Sequence, residues 1–290
     1  MDLQNTYVAQ QQDLSAGITA SALLTCKIDT THNIHSIILD CDDGGTPLTE
    51  SQMKADLGAI EVRYNGVLLV DCTVTQLLDW QSYYLDKTAA VTLAGQLVIP
   101  FTRFTLPIAA LNREHALGML DANGNPANLT VKIKCGTTVT NLDALMVHYE
   151  YDLLERRTIG RHVRLLTHTR TFSSTGTLDI VDLPRQGRVG VLAYHIDDGT
   201  GTIHDITVKH NGFDVLQATP YNLLNWRAHR AGRVPQANWW HIDFALQNDF
   251  ANGLPLGVNC SQLLVKPNWP ATGPGGSFDI IEEAICVGLQ

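Results

Sequence analysis

The sequence predicts an all-β protein: two tandem eight-stranded jelly-roll β-sandwich domains with short helical insertions. Three observations carry this. Short runs rich in Val, Ile, Thr and aromatic residues are broken by turn signals roughly every 8–12 residues, the spacing of sandwich strands. No stretch keeps the apolar period of a long amphipathic helix. A module also recurs: "IEVRYNGVLLVDCTVTQLLDW" (Ile60–Trp80) aligns without a gap on "ITVKHNGFDVLQATPYNLLNW" (Ile206–Trp226), half a chain later. Each half of this 290-residue chain has room for eight short strands, the content of one jelly roll.

The elements follow in order. Residues 1–24 are polar, rich in Gln and Ala, and lack apolar periodicity, so an N-terminal arm ordered by neighbouring molecules is expected there. The first jelly roll is expected over 25–155. "SIILDCDDGG" (Ser36–Gly45) reads as a strand running into an Asp-Asp-Gly turn. In the insertion Thr46–Asp56, the Thr49-Glu50 start and the Met/Leu pattern predict a short helix. "IEVRY-NG-VLLVD" predicts a hairpin, because both central residues of a type I′ turn need positive φ and Asn-Gly supplies them best. After it, Thr75 is placed to cap a helical turn whose Leu-Leu and Trp80 face packs inward. "QLVIPFTRFTL" (Gln96–Leu106), "LTVKIK" (Leu129–Lys134) and "LDALMVHYEYD" (Leu142–Asp152) complete that half.

A connecting segment is assigned to 156–172, inside a basic stretch that holds Arg156, Arg157, Arg161, Arg164 and Arg170. It is expected to enter the first strand of a second jelly roll over 173–290. There "TLDIVDL" (Thr177–Leu183), "RVGVLAYHI" (Arg188–Ile196), the Asn211-Gly212 hairpin and "WWHIDFAL" (Trp239–Leu246) read as strands. "LLVKPN" (Leu263–Asn268) and "FDIIEEAICVG" (Phe278–Gly288) echo the end of the first half, and Thr219 is placed to cap as Thr75 does. Trp80 and Trp226 are expected at equivalent packing positions.

The composition excludes several function classes. A net charge of −9 argues against a dedicated nucleic-acid binder, which needs a basic surface to neutralise phosphate. The N-terminus lacks the basic patch and apolar core of a secretory signal, and no run is long enough to span a bilayer as a helix. The glycosylation sequons at Asn128 and Asn259 are set aside for that reason. Six singly spaced cysteines (Cys26, Cys41, Cys72, Cys135, Cys260 and Cys286) read as small buried hydrophobes in a reducing compartment.

Catalytic patterns are missing too. There is no nucleophile elbow, phosphate loop, dinucleotide fingerprint or HExxH pair. His32 and His35, three apart on a strand, point to opposite faces, so they do not make a metal site. Asp42-Asp43 and Asp197-Asp198 are the best candidates for a hard cation, yet one carboxylate pair supplies too few ligands, and solvated turn residues are expected. No catalytic, cofactor or metal residue is therefore assigned, and no cofactor is expected.

Four segments go further: "LTESQMKADLGAIEVRYNGVLL" (Leu48–Leu69), "TLDIVDLPRQGRVGVLAYHI" (Thr177–Ile196), "HDITVKHNGFDVL" (His204–Leu216) and "WWHIDFALQNDF" (Trp239–Phe250). On these the chain resembles the double jelly-roll major capsid proteins of icosahedral, membrane-containing double-stranded DNA viruses. It is most like the corticovirus proteins of marine bacteriophages. The likeness covers roughly residues 35–285; the long N-terminal arm and the loop "PNWPATGPGGS" (Pro267–Ser277) depart from it. The resemblance implies a non-enzymatic homotrimer whose six barrels form a pseudo-hexagonal capsomer tiling an icosahedral shell over an internal membrane. It implies partners in the chain itself, a vertex or penton protein, and internal membrane proteins or lipids, with no specific nucleic acid. It further implies a virion protein folded and assembled in the host cytoplasm. The alternative is a tandem β-sandwich that binds carbohydrate or a receptor, with Trp239-Trp240 and Trp269 stacking on sugars. A jelly-roll metalloenzyme is the remote third.

Overall fold

The computed structural model describes residues 7–29, 31–84, 95–101, 116–198, 203–246 and 253–288. Two compact units divide the chain. The first holds residues up to Ser82, those through Leu165, and Val287; the second holds Tyr83, Tyr84 and Leu166–Cys286.

In the first unit the strands are β1 (Tyr7–Asp13), β2 (Leu23–Ile28), β3 (Asn33–Asp43), the two-residue β4 (Thr46–Pro47), β5 (Leu57–Tyr64), β6 (Val67–Thr73), β7 (Gln96–Pro100), β8 (Leu129–Cys135) and β9 (Ala144–Asp152). One sheet runs β1-β9-β3-β7, with β4 extending the end of β3. The other runs β6-β5-β8-β2, and the outer edge of β6 is bordered by β10 (Arg161–Phe172). At that border the Cys72 thiol donates to the Leu165 carbonyl at 3.7 Å. Burial alternates along β2 and β5, as the sequence pattern requires of strands with one face on a core. Residues Asn33–Ile37 of β3 are buried on both faces.

The second unit repeats this plan. Its strands are the later part of β10, β11 (Gly176–Thr177), β12 (Arg188–Asp197), β13 (Asp205–His210), β14 (Phe213–Pro220), β15 (Trp239–Asp243), β16 (Leu254–Pro255), β17 (Leu263–Trp269) and β18 (Gly276–Val287). One sheet runs β10-β18-β12-β15, with β16 also on β12, and the other runs β14-β13-β17-β11. Setting aside β4 and β16, the order of pairing is the same in both units. Each is a sandwich of two four-stranded sheets with jelly-roll connections. Tyr194, Ile206, Trp240, Val265, Trp269 and Ile280 fill the second core.

The repeated hairpins occupy equivalent positions, between β5 and β6 and between β13 and β14. Asn65 and Gly66 sit at φ 47° and 84°, and Asn211 and Gly212 at 51° and 82°, the left-handed values that a type I′ turn demands. The asparagines also clamp the tips. Asn65 Oδ1 accepts the Asn128 N–H at 2.7 Å, and the Asn65 N–H donates to the Asn128 carbonyl at 2.8 Å. Asn211 Oδ1 accepts the Ser261 N–H at 2.8 Å while its own N–H donates to the Gln262 carbonyl at 2.8 Å. One side chain thus serves the turn and the strand beside it, twice.

Helices lie in the connections that follow β4, β6 and β14. α1 (Glu50–Asp56) begins in a capping box: Thr49 Oγ1 accepts the Gln52 N–H at 3.3 Å, and Gln52 Oε1 accepts the Thr49 N–H at 2.9 Å. Asp56 ends it, and its buried carboxylate accepts the N–H groups of Thr140, Asn141 and Leu142 at 3.1, 2.6 and 2.9 Å. α2 (Val74–Tyr84) and α3 (Tyr221–Arg230) follow the two hairpins.

Several sequence expectations are corrected. Residues 7–13 are not a neighbour-dependent arm: β1 pairs with β9 from Tyr7↔Tyr151 to Asp13↔Met146. An edge strand with mostly exposed side chains needs no apolar alternation, so its polar composition hid it. Residues 161–172, placed in a connection, form strand β10. "TLDIVDL" supplies only Thr177 of β11 and a single bridge from Ile180 to Val265, not a full strand. The cap of α2 is Thr73, whose Oγ1 accepts the Gln76 N–H at 3.1 Å, two residues before Thr75. α3 has Pro220 at its N-cap and no side-chain cap, so Thr219 does not cap it. Residues 102–106 of the expected strand after Gln96 lie outside the described residues.

Candidate assembly surface

The two units differ most in what covers the repeated module. In the first, β6 buries Leu69, Val70 and Cys72, and α2 as far as Ser82 buries every residue except Thr75 and Asp79. In the second, the same module is bare. Phe213 and Val215 on β14 are 78% and 40% exposed, and Leu223 and Trp226 on α3 are 46% and 56% exposed. Only Leu224 and Ala228 of α3 are buried. Trp80 is 2% exposed, so the expectation that Trp80 and Trp226 pack equivalently fails. Local sequence sets the helix and its register; what lies against it sets burial. Beside this face opens a cleft of about 270 Å³, lined by Val215, Leu216, Leu224, Arg227, Phe244 and Leu254. The Arg230 guanidinium lies over the Trp226 ring at 5.5 Å, a cation–π contact at the surface.

On the side of its β12 sheet away from the apolar core, the second unit holds a buried polar cluster. His195 and His241 are cross-strand partners on β12 and β15, with Nδ1 atoms 2.7 Å apart. The Gln236 N–H donates to His241 Nε2 at 3.1 Å, so the proton of a neutral His241 sits on Nδ1 and points to His195. Tyr83 stacks on the His241 ring at 4.0 Å, and the Tyr84 hydroxyl donates to Glu283 Oε2 at 2.6 Å. Arg233, Asp243 and Glu283 are the charged groups facing the pair: Arg233 Nε lies 3.6 Å from Asp243 Oδ2, and His195 Nε2 lies 3.6 Å from Glu283 Oε2.

Burial, with the neighbouring His195, holds the His241 pKa well below its ordinary 6.5. The unfolded chain therefore takes up a proton as pH falls through 6.5 and the folded chain does not, so stability declines below that pH. The loss is about 1.4 kcal/mol per pH unit for one such proton. Thermal unfolding of the second unit should shift downward between pH 7 and pH 5.5, and His241→Gln should flatten that dependence. An unchanged profile in the variant would remove His241 as the cause.

The other residues singled out from sequence fall as follows. His35 is buried and bonds Asp152 at 2.8 Å, while His32 is half-buried with its ring 4.4 Å from that of Tyr151. The two do not converge. Hydrogen bonds from His35 and Asn33 hold the Asp152 carboxylate below its ordinary range despite its burial. Asp42 Oδ1 accepts the Gly45 N–H at 3.0 Å, and buried Asp198 accepts the Ile203 N–H at 3.1 Å, so both carboxylates serve their turns. All six cysteines are buried and in no disulfide, and burial pushes the Cys26 thiol up to about 11 and the Cys41 thiol to about 12. Such thiols are not nucleophiles. Trp239, Trp240 and Trp269 are 4%, 2% and 0% exposed, which removes them as sugar platforms. Among the described residues, no three His, Cys, Asp or Glu side chains gather as a metal site. Of the basic stretch, Arg170 pairs with Asp182 at 3.0 Å. The His195–His241 cluster had no signature in the sequence, because its members are brought together only by strand register.

The family model for the viral coat protein P2 N-terminal domain matches residues 10–150, and that for the P2 C-terminal domain matches residues 163–287. The chain belongs to the viral coat protein P2 family. Among solved structures, the major capsid protein P2 from bacteriophage PM2 is similar at 17% identity, with a TM-score of 0.78 and 97% of each chain covered. The STIV MCP is similar at 14% identity, with a TM-score of 0.68, covering 99% of this chain and 98% of that one. The PBCV-1 virus capsid is similar at 11% identity, with a TM-score of 0.62 and coverage of 98% and 94%. No curated protein sequence matches. These structures share the double jelly roll, and this viral coat protein has that fold. The carbohydrate- or receptor-binding alternative finds no support among the matches.

Proposed function

We propose that this P2-family coat protein is the building block of an icosahedral shell: a homotrimer whose six sandwiches form a pseudo-hexagonal capsomer. One observation carries the reading. A single chain holds two units with the same order of strand pairing, so three copies present six similar sides to a hexagonal lattice. Charged residues make up only 17% of the chain, below the roughly 25% usual for soluble proteins, which suits flanks covered by other copies. Closed cyclic symmetry satisfies such flanks without open-ended polymerisation.

The same reading makes the protein a scaffold without enzymatic activity. It has the shell lie over an internal membrane, meet a vertex protein at the five-fold positions, and assemble in the host cytoplasm. Sedimentation velocity at micromolar concentration should give three chain masses with little monomer, and electron micrographs should show six-lobed particles. A stable monomer would overturn the capsomer.

A further inference from the structure

Asn-Gly is the dipeptide whose asparagine is most open to attack by its own chain, because glycine carries no Cβ to shield its amide nitrogen. The sequence holds four: Asn65-Gly66, Asn123-Gly124, Asn211-Gly212 and Asn252-Gly253. Asn252 lies outside the described residues. The other three look alike in sequence, and the structure separates them. Asn65 and Asn211 are fixed at φ 47° and 51° in their type I′ turns. Their side chains are clamped as well. Asn65 Oδ1 accepts the Asn128 N–H at 2.7 Å. Asn211 Oδ1 accepts the N–H groups of Ser261 and Gln262 at 2.8 and 3.2 Å and the Ser261 hydroxyl at 3.0 Å. To swing either amide carbon onto the following glycine nitrogen, these bonds and the turn must break together. Asn123 stands in a different setting. Residues Ala122 to Pro126 are all exposed in the loop that leads to β8, and a Cβ placed on Gly124 would meet nothing within 4 Å. The Asn123 N–H donates to Asp121 Oδ1 at 2.8 Å, whereas its side-chain amide bonds to no described residue. One exposed turn bond, from the Gly124 N–H to the Asp121 carbonyl at 3.0 Å, holds the attacking nitrogen, and such bonds open most readily.

We propose that Asn123 is a site of spontaneous covalent modification, where asparagine converts to aspartate and isoaspartate through a succinimide. The Gly124 nitrogen attacks the Asn123 Cγ and gives up its proton to water or hydroxide. The new C–N bond closes the imide ring, and the side-chain nitrogen leaves as ammonia. Water then opens the ring at one of its two carbonyls: at Cγ it yields aspartate, and at the main-chain carbon it yields isoaspartate. One water enters, one ammonia leaves, and no oxidant or enzyme is required. The product carries a negative charge beside Asp121. That carboxylate clasps the loop, accepting the N–H groups of Asn123 and Asn125 at 2.8 Å each and Asn125 Nδ2 at 3.3 Å. Like charge, and in isoaspartate an extra backbone carbon, both work against this clasp and leave the strands alone. The inference stands on the first sandwich by itself and does not rest on the capsomer reading.

The test compares the three sites in one sample. The full native chain and the same chain unfolded in urea are aged side by side at mildly alkaline pH. Peptide mapping by mass spectrometry, with isoaspartate detection, follows Asn65, Asn123 and Asn211 over time. In the native chain Asn123 should convert about ten-fold or more faster than the other two, because only their turns must open against several bonds. In urea the three rates should converge, which assigns the difference to the fold. If Asn65 or Asn211 keeps pace with Asn123 in the native chain, the proposal is overturned. It is overturned equally if Asn123 stays as slow as they are while the unfolded chain converts at all three.

Discussion

Glu282→Ala is expected to destabilise the second unit by roughly 3–5 kcal/mol, the usual result of removing one partner from a buried ion pair. Glu282 is fully buried on β18 and opposite Tyr194 in the ladder with β12. Its Oε1 accepts from Arg188 Nε at 2.6 Å, and its Oε2 accepts from the same guanidinium at 2.9 Å and contacts His168 Nε2 at 2.8 Å. The bidentate fork satisfies both carboxylate oxygens. Removing the carboxylate leaves Arg188, itself mostly enclosed, without its counter-charge. It also leaves Tyr194, whose hydroxyl has no hydrogen-bond partner and whose pKa burial holds well above 10, in a still less polar pocket. Arg188→Met/Glu282→Leu should recover most of the loss, because an apolar pair of similar volume needs no desolvation. Denaturant melts of the two variants check this. A single variant within about 1 kcal/mol of wild type would show that the pair is hydrated in solution.

Trp80→Ala is expected to cost the first unit about 3–5 kcal/mol, whereas Trp226→Ala should change the unfolding of dissociated chains by no more than about 0.5 kcal/mol. Both residues end the same gapless repeat, and each sits on the helix that follows the hairpin. Burial separates them: Trp80 is 2% exposed in an enclosed helix, and Trp226 is 56% exposed on a helix covered along one side. Deleting the first side chain opens a cavity in close-packed surroundings, while deleting the second removes surface that water already reaches. Urea melts at concentrations too low for association compare the two directly. Equal losses would mean that Trp226 packs against its own chain after all.

Much of the fold was legible because it is written locally. Asn65-Gly66 and Asn211-Gly212 dictate positive φ, and Thr49 with Gln52 marks the start of α1. The alternation in β2 and β5 states which side chains go inside. The gapless repeat of Ile60–Trp80 at Ile206–Trp226 marks two units with one plan. β1 was lost because an edge strand that buries almost nothing has no apolar pattern to display. The cap of α2 was misplaced by two residues because "TVT" offers two threonines, and only the path of β6 decides which one faces the first turn.

The sequence by itself determined the paired hairpins, the start of α1 and the duplication of the plan, since these depend on residues near one another in the chain. Tertiary structure alone decided the rest. His195 and His241 meet across 46 residues through the register of β12 and β15, and Glu282 finds Arg188 and His168 only when β18 lies between β10 and β12. The exposure of Trp226 is of the same kind. Torsion preferences and periodicity act over a few residues, whereas burial depends on whatever surface the folded chain brings alongside, and among the described residues Phe213, Leu223 and Trp226 of the α3–β14 face stay exposed.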